Sequence, residues 1–214
     1  MGLILNPRGT SGSGKTELVR RILAQYGWSG ACPERLNSVE PIHRTGRRPP
    51  FAYRLRHPRH GRPLVVVGHY QRTSGGSDTI RERDGGLPEI MRFAGDFASR
   101  GHDVLVEGLR LSSEVPLSLR FAAGHRLHIL LLSTPIERCA RNLASRRRVA
   151  RSSLATIQRV TGAEHRRVED ACVRLRSHAT VEVLDFDAAL ARAQQLLDLD
   201  ECRVAGWAAG SEMP

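Results

Sequence analysis

Apolar positions fall into short runs, separated by stretches rich in glycine and arginine. Residues 3–5 form a compact apolar run, followed by a glycine loop. Leu18, Val19, Ile22, Leu23 and Tyr26 then recur at helical spacing. The order strand, loop, helix is predicted. Residues 27–50 are rich in Gly, Pro and Arg and read as an irregular connection. Residues 51–56 alternate Phe, Tyr and Leu with Ala and Arg, residues 57–61 form a turn, and residues 64–70 are apolar again, which predicts a β-hairpin. Ile90, Met91, Ala94, Phe97 and Ala98 mark a helix over 87–99. Residues 103–108 read as a buried strand ending in the carboxylate of Glu107, and 127–132 as another strand. Helices are expected over 115–123, from Pro135 through Arg148, over 156–176 and over 188–197, with a strand at 180–184. Strands alternating with helices imply an α/β fold with a mostly parallel sheet, flanked by helices and joined by right-handed crossovers. The expected organisation is one domain over 1–204. It carries a hairpin substrate region within 27–83, basic lid-like helices within 135–176, and a flexible tail over 205–214.

Composition adds a charge argument. The chain has 214 residues, with 33 Lys+Arg against 22 Asp+Glu and a net charge of +11. Of the 33 basic residues, 32 are Arg and one is Lys15. Coding bias explains an excess of Arg but not where it falls. Residues 43–83 hold ten Arg against Asp78 and Glu82, a net of +8, and residues 138–176 hold eleven Arg against three acids, again +8. The rest of the chain is mildly acidic. Clustered cations favour polyanions, although charge runs also serve simply as solvated faces.

Several classes fall away. No apolar run approaches the ~18 residues of a membrane helix, and the N-terminus lacks signal-peptide order. Cys32, Cys139, Cys172 and Cys202 form no CxxC pair, so a reducing cytoplasm is the expected compartment. His57 with His60, and His125 with His128, lack a second ligand pair at metal-site spacing.

The chemistry-bearing motif is Gly9-Thr10-Ser11-Gly12-Ser13-Gly14-Lys15-Thr16, a full Walker A pattern between a strand and a helix. Glycines let successive N–H groups form an anion nest, and the helix N-terminus adds its positive dipole end. Lys15 supplies a compact mobile cation for the β- and γ-phosphates, a task that suits an ammonium better than a guanidinium. Thr16 offers a hydroxyl to Mg²⁺. ATP and Mg²⁺ are the expected cofactors. Glu107, ending a strand, is the second expected metal ligand or a group acting on the substrate, because strand C-terminal ends line the crevice of open α/β sheets.

The loop resembles that of the P-loop kinases. That likeness implies a lid along the basic helix, where Arg138, Arg141 and Arg148 lie at offsets of 0, 3 and 10. They would grip the nucleotide phosphates and neutralise charge during transfer. The run Val67-Gly68-His69-Tyr70, followed by Ser74-Gly75-Gly76-Ser77-Asp78-Thr79-Ile80, is similar to a stretch in phage-encoded kinases that act on hydroxymethyluracil in DNA. That resemblance implies DNA carrying a hydroxymethylated pyrimidine as acceptor, and the host cytoplasm as location. A kinase acting on an alcohol wants a carboxylate near the hydroxyl. Asp78 fits that role, Gly75 and Gly76 would admit a close substrate, and His69 and Tyr70 would stack on or hydrogen-bond a base. A small-molecule nucleoside or nucleotide kinase, and a nucleotide-dependent DNA-binding protein, are the alternatives. Ten Arg in about forty residues exceed what a free mononucleotide needs.

Overall fold

A computed structural model describes residues 1–28, 37–71, 75–148 and 153–200, without the side chain of Leu109. Ser74, Cys32, Cys202 and the 205–214 tail lie outside the described residues.

The strands are β1 (Leu3–Arg8), β2 (Val39–Ile42), β3 (Ala52–Leu55), β4 (Leu64–Val67), β5 (Asp103–Val106), β6 (Arg126–Leu132) and β7 (Thr180–Leu184). The helices are α1 (Lys15–Gln25), α2 (Gly86–Ser99), α3 (Leu109–Ser113), α4 (Val115–Gly124), α5 (Ile136–Arg147), α6 (Leu154–Leu175) and α7 (Phe186–Leu196). One sheet runs in the order β2-β3-β4-β5-β1-β6-β7. The five strands from β4 to β7 pair parallel, and β2, β3 and β4 pair antiparallel. This is a mixed, mostly parallel sheet flanked by helices, an α/β fold.

Alternation along the buried strands decides which helices cover which face. On β6, Leu127, Ile129 and Leu131 join one core with Val104, Val106 and residues of α2, α4 and α6. Leu130 and Leu132 face the other way, into a core with Leu5 and the apolar stripes of α1 and α7. The chain leaving β1 therefore goes to one face and the chain leaving β5 to the other. Between these neighbouring strands a crevice opens at their C-terminal ends, the place where open α/β sheets bind ligands.

One expectation is met and one is corrected. The expected hairpin is β3 with β4, and it continues the main sheet because β4 pairs parallel with β5. The connection over 27–50 is not wholly irregular, since Val39–Ile42 adds an edge strand. Its Pro41 and Glu40 hide the strand from pattern reading, yet proline is tolerated at a sheet edge. Pro7 lies inside the central strand β1, but pairing with β5 ends at Leu5, before the residue that has no N–H to donate.

Candidate active site

The loop from Gly9 to Gly14 joins β1 to α1 and lies at the mouth of the crevice. Gly12 has φ +82, and a Cβ there would overlap the carbonyl oxygen of Cys139 on α5. The α1 N-terminus has no side-chain cap, so its first amides remain available to an anion. Lys15 is 6% exposed. Its Nζ donates to the carbonyls of Gly9 (2.7 Å) and Thr10 (3.0 Å), which curls the loop around the ammonium. Burial pulls the Lys15 pKa below its ordinary value, against the carboxylates of Glu107, Glu164 and Asp78. Ser13 Oγ is buried with no hydrogen-bond partner among the described residues.

Neighbouring elements clamp this loop. Asn142 Nδ2 donates to Gly12 O at 2.8 Å, and Thr134 Oγ1 donates to Ser13 O at 2.8 Å. From α6, Glu164 accepts the Ser11 N–H at 2.7 Å, and the Thr161 carbonyl accepts the Thr10 hydroxyl at 3.4 Å.

Glu107 follows β5 and is 3% exposed. Thr16 Oγ1 donates to its Oε1 at 3.3 Å, and Tyr70 Oη donates to its Oε2 at 3.2 Å. Burial pushes the Glu107 pKa up to about 7, opposed by Lys15 and reinforced by Asp78. Tyr70 is itself buried, which holds its phenol well above the usual range. The Tyr70 hydroxyl therefore faces the carboxylate instead of presenting the ring to a base. His69 does line the cleft, and its Nδ1 lies 2.8 Å from the buried Tyr53 hydroxyl.

The opposite wall is a turn over residues 75–84. Ser77 is anchored twice on the Glu107 carbonyl, through its N–H and its Oγ, each at 2.6 Å. Gly76 packs so closely on Glu107 that a Cβ would overlap the carboxylate. Asp78 is exposed and lines the cleft. Arg47, buried, braces this turn by donating to Thr79 O at 2.8 Å and Asp84 Oδ2 at 2.7 Å. Beneath the crevice, Asn6 Nδ2 donates to Val106 O at 2.6 Å, and buried Arg8 holds Asn6 Oδ1 at 2.7 Å. Sequence reasoning missed Arg47, Asn6 and Arg8, whose partners lie far away along the chain.

The resulting cleft of about 1000 Å³ brings Lys15, Thr16, Glu107, Asp78, His69 and Gly75 together. Arg20, His43, Arg48, Arg81, Asn142 and Arg146 also line it. A smaller cavity of about 600 Å³ adjoins it, bounded by Gly14, Thr134, Arg138, Asn142 and Phe186. Arg141 and Arg148 line neither cavity. The helix face turned to the site is 138, 142, 146, spaced by four, and Arg148 lies past the helix end with φ +52. That i, i+4 spacing was visible in the sequence, as was Arg20, four residues after Thr16.

Several arginines of the charge run over 43–83 have acidic or carbonyl partners. Arg44, Arg47, Arg54 and Arg62 pair with Glu89, Asp84, Glu40 and Asp103, and Arg59 donates to the Leu199 and Asp200 carbonyls. Arg48 and Arg81 instead face the cleft. Both ring nitrogens of His57 are engaged, Nε2 with Leu197 O and Nδ1 with the Arg59 and Gly61 amides. His128 Nε2 lies 2.5 Å from Glu182.

An anion seated over the glycine loop would meet Lys15 and the α1 amides, with carboxylates on two sides. That arrangement suits group transfer of a phosphoryl. No protein-family model matches the chain. The 5-hmdU DNA kinase of Pseudomonas phage PaMx11 is 36% identical over 148 residues, which cover 67% of this chain and 69% of that protein. With this likeness and a kinase-type fold around the cleft, the chain belongs to the 5-hmdU DNA kinase family and is a phosphotransferase.

Proposed function

We propose that this protein transfers the γ-phosphate of ATP to the hydroxymethyl group of 5-hydroxymethyluracil in DNA, in the cytoplasm of a phage-infected host. The observation that carries the reading is the convergence in one cleft of Lys15, Thr16 and Glu107 with Asp78 on the facing wall. We read 1–204 as one kinase domain.

Residues 9–16 act as a P-loop. The α1 amides and the Ser13 hydroxyl, which has no partner among the described residues, are suited to the ATP phosphates, and Lys15 exchanges the Gly9 and Thr10 carbonyls for phosphate oxygens. The adjoining cavity takes the nucleoside, between Arg138 and Phe186. The Thr16 hydroxyl and Glu107 carboxylate, 3.3 Å apart, are hard oxygen donors that fit Mg²⁺. When bound, the ion supplies charge neutralisation on the transferring phosphoryl. Tyr70 orients Glu107 by its hydrogen bond.

On the acceptor side, the hydroxymethyl oxygen attacks the γ-phosphorus, the bond from that phosphorus to the β,γ-bridging oxygen breaks, and ADP leaves. The hydroxyl proton passes to Asp78, the exposed carboxylate of the facing wall. Gly75 lines the cleft where the base enters and His69 hydrogen-bonds the base edge, whereas Gly76 is packed on Glu107 and supports the turn. Arg146, with Arg138 at the nucleoside end, stabilises charge as it moves onto the leaving oxygen.

The test is transfer of label from γ-labelled ATP to hydroxymethyluracil DNA, unmodified DNA and free hydroxymethyl nucleotides, side by side. Label on the hydroxymethyluracil DNA alone supports the reading. Label on free nucleotides alone replaces it with a small-molecule kinase, and no transfer with retained ATP binding replaces it with a nucleotide-dependent binding protein.

A further inference from the structure

Both reacting groups are recessed. In a paired duplex, the hydroxymethyl group on the fifth carbon of the pyrimidine lies within the major groove, which is about 12 Å wide and about 8.5 Å deep. Lys15 and Glu107 lie on the floor of a cleft, 6% and 3% exposed. The cleft that must take the base is about 1000 Å³. It must also hold the phosphates of ATP.

The cations are distributed to match this geometry. Arg48 and Arg81 are exposed side chains on the acceptor wall, and Arg146 is an exposed side chain on α5 across from them. DNA phosphates held by such exposed arginines stay outside the cleft floor. With the backbone at the cleft edge and the reacting hydroxyl inside, between Asp78 on the wall and the phosphate over Lys15, a base kept in the stack does not reach the site.

We propose that this enzyme rotates the acceptor nucleotide out of the base stack, with its flanking phosphates held at the cleft edge by Arg48 and Arg81. The inference rests on the DNA-kinase reading above and extends it to the state of the substrate. The extruded pyrimidine enters the cleft over Gly75 and His69, which both line it, and its hydroxymethyl group points past Asp78 toward Lys15. Unpairing costs a few kcal/mol and is smallest for a mismatched or unpaired base.

The test compares hydroxymethyluracil in four settings of identical flanking sequence: paired with adenine, mismatched, opposite an abasic site, and in a single strand. Single-turnover transfer is measured at one salt concentration. Extrusion predicts that the mismatched and abasic duplexes react roughly tenfold or more faster than the paired one. A 2-aminopurine neighbouring the target, probed with protein and a non-transferring ATP analogue, should brighten as the base leaves the stack. Arg48→Gln and Arg81→Gln should each reduce the salt slope of DNA binding by about one. Equal rates for paired and mismatched duplexes, together with unchanged 2-aminopurine emission, would overturn extrusion while leaving the DNA-kinase reading intact. Label on the free nucleotide with none on any DNA would overturn both.

Discussion

Thr16 and Glu107 stand 91 positions apart and meet at 3.3 Å across the crevice between β1 and β5. One is in the first turn of α1 and the other follows the last residue of β5. Glu107→Gln keeps the shape and removes the charge. It should lower kcat by roughly a hundredfold and raise the Mg²⁺ concentration needed for half-maximal rate, with ATP binding in the absence of metal unchanged. Steady-state kinetics over a Mg²⁺ series checks both.

Lys15→Ala should abolish transfer while leaving the far-UV circular dichroism intact. Lys15→Arg should also fail. The ammonium is buried and turned onto two loop carbonyls, a space that a planar, five-donor guanidinium does not fit. Near-normal turnover in either variant would contradict the role given to the loop.

Asp78→Asn should cut phosphoryl transfer by about 10²–10⁴-fold, with ATP affinity within about twofold of the parent protein. Arg47→Ala should act in the same direction but less, roughly tenfold on kcat, because Arg47 acts through the turn that carries Asp78. Added guanidinium ion should restore part of the Arg47→Ala rate and none of the Asp78→Asn rate.

On α5, Arg146→Ala should raise the KM for ATP or lower kcat by roughly tenfold, whereas Arg141→Ala should change neither by more than about twofold. The pair separates the helix face that lines the cleft from the one that does not.

Away from the site, burial lowers the His128 pKa below 6.5 in the folded protein. A base held neutral by the fold takes up a proton more readily once unfolded. Its contribution to stability is therefore present above pH 6.5 and lost as the pH falls below it. His128→Gln should flatten the fall in Tm between pH 7.5 and 5.5.

The loop, α1 and Glu107 were legible in the sequence because their physics is local: glycines, one lysine, and a carboxylate ending an apolar run. The alternation of strands and helices likewise gave the parallel core. Other features depend on distant partners. Tyr70 read as a base-stacking residue, yet its burial and its bond to Glu107 follow from where β4 ends beside β5. Arg47 read as part of a basic run, and only the fold brings it to Thr79 and Asp84. The edge strand β2 was masked by Pro41 and Glu40. On α5 the arginines drew the eye to 138, 141 and 148, whereas Asn142 on Gly12 O marks the face that meets the loop.

The most direct measurement is mass spectrometry of nucleosides from hydroxymethyluracil DNA incubated with the protein, ATP and Mg²⁺, then digested without phosphatase acting on the base. The account predicts that hydroxymethyldeoxyuridine disappears in step with a species heavier by one phosphate on the hydroxymethyl group, and that Lys15→Ala prevents it. An unchanged nucleoside profile, with ATP consumed only when free nucleotides are added, would contradict it.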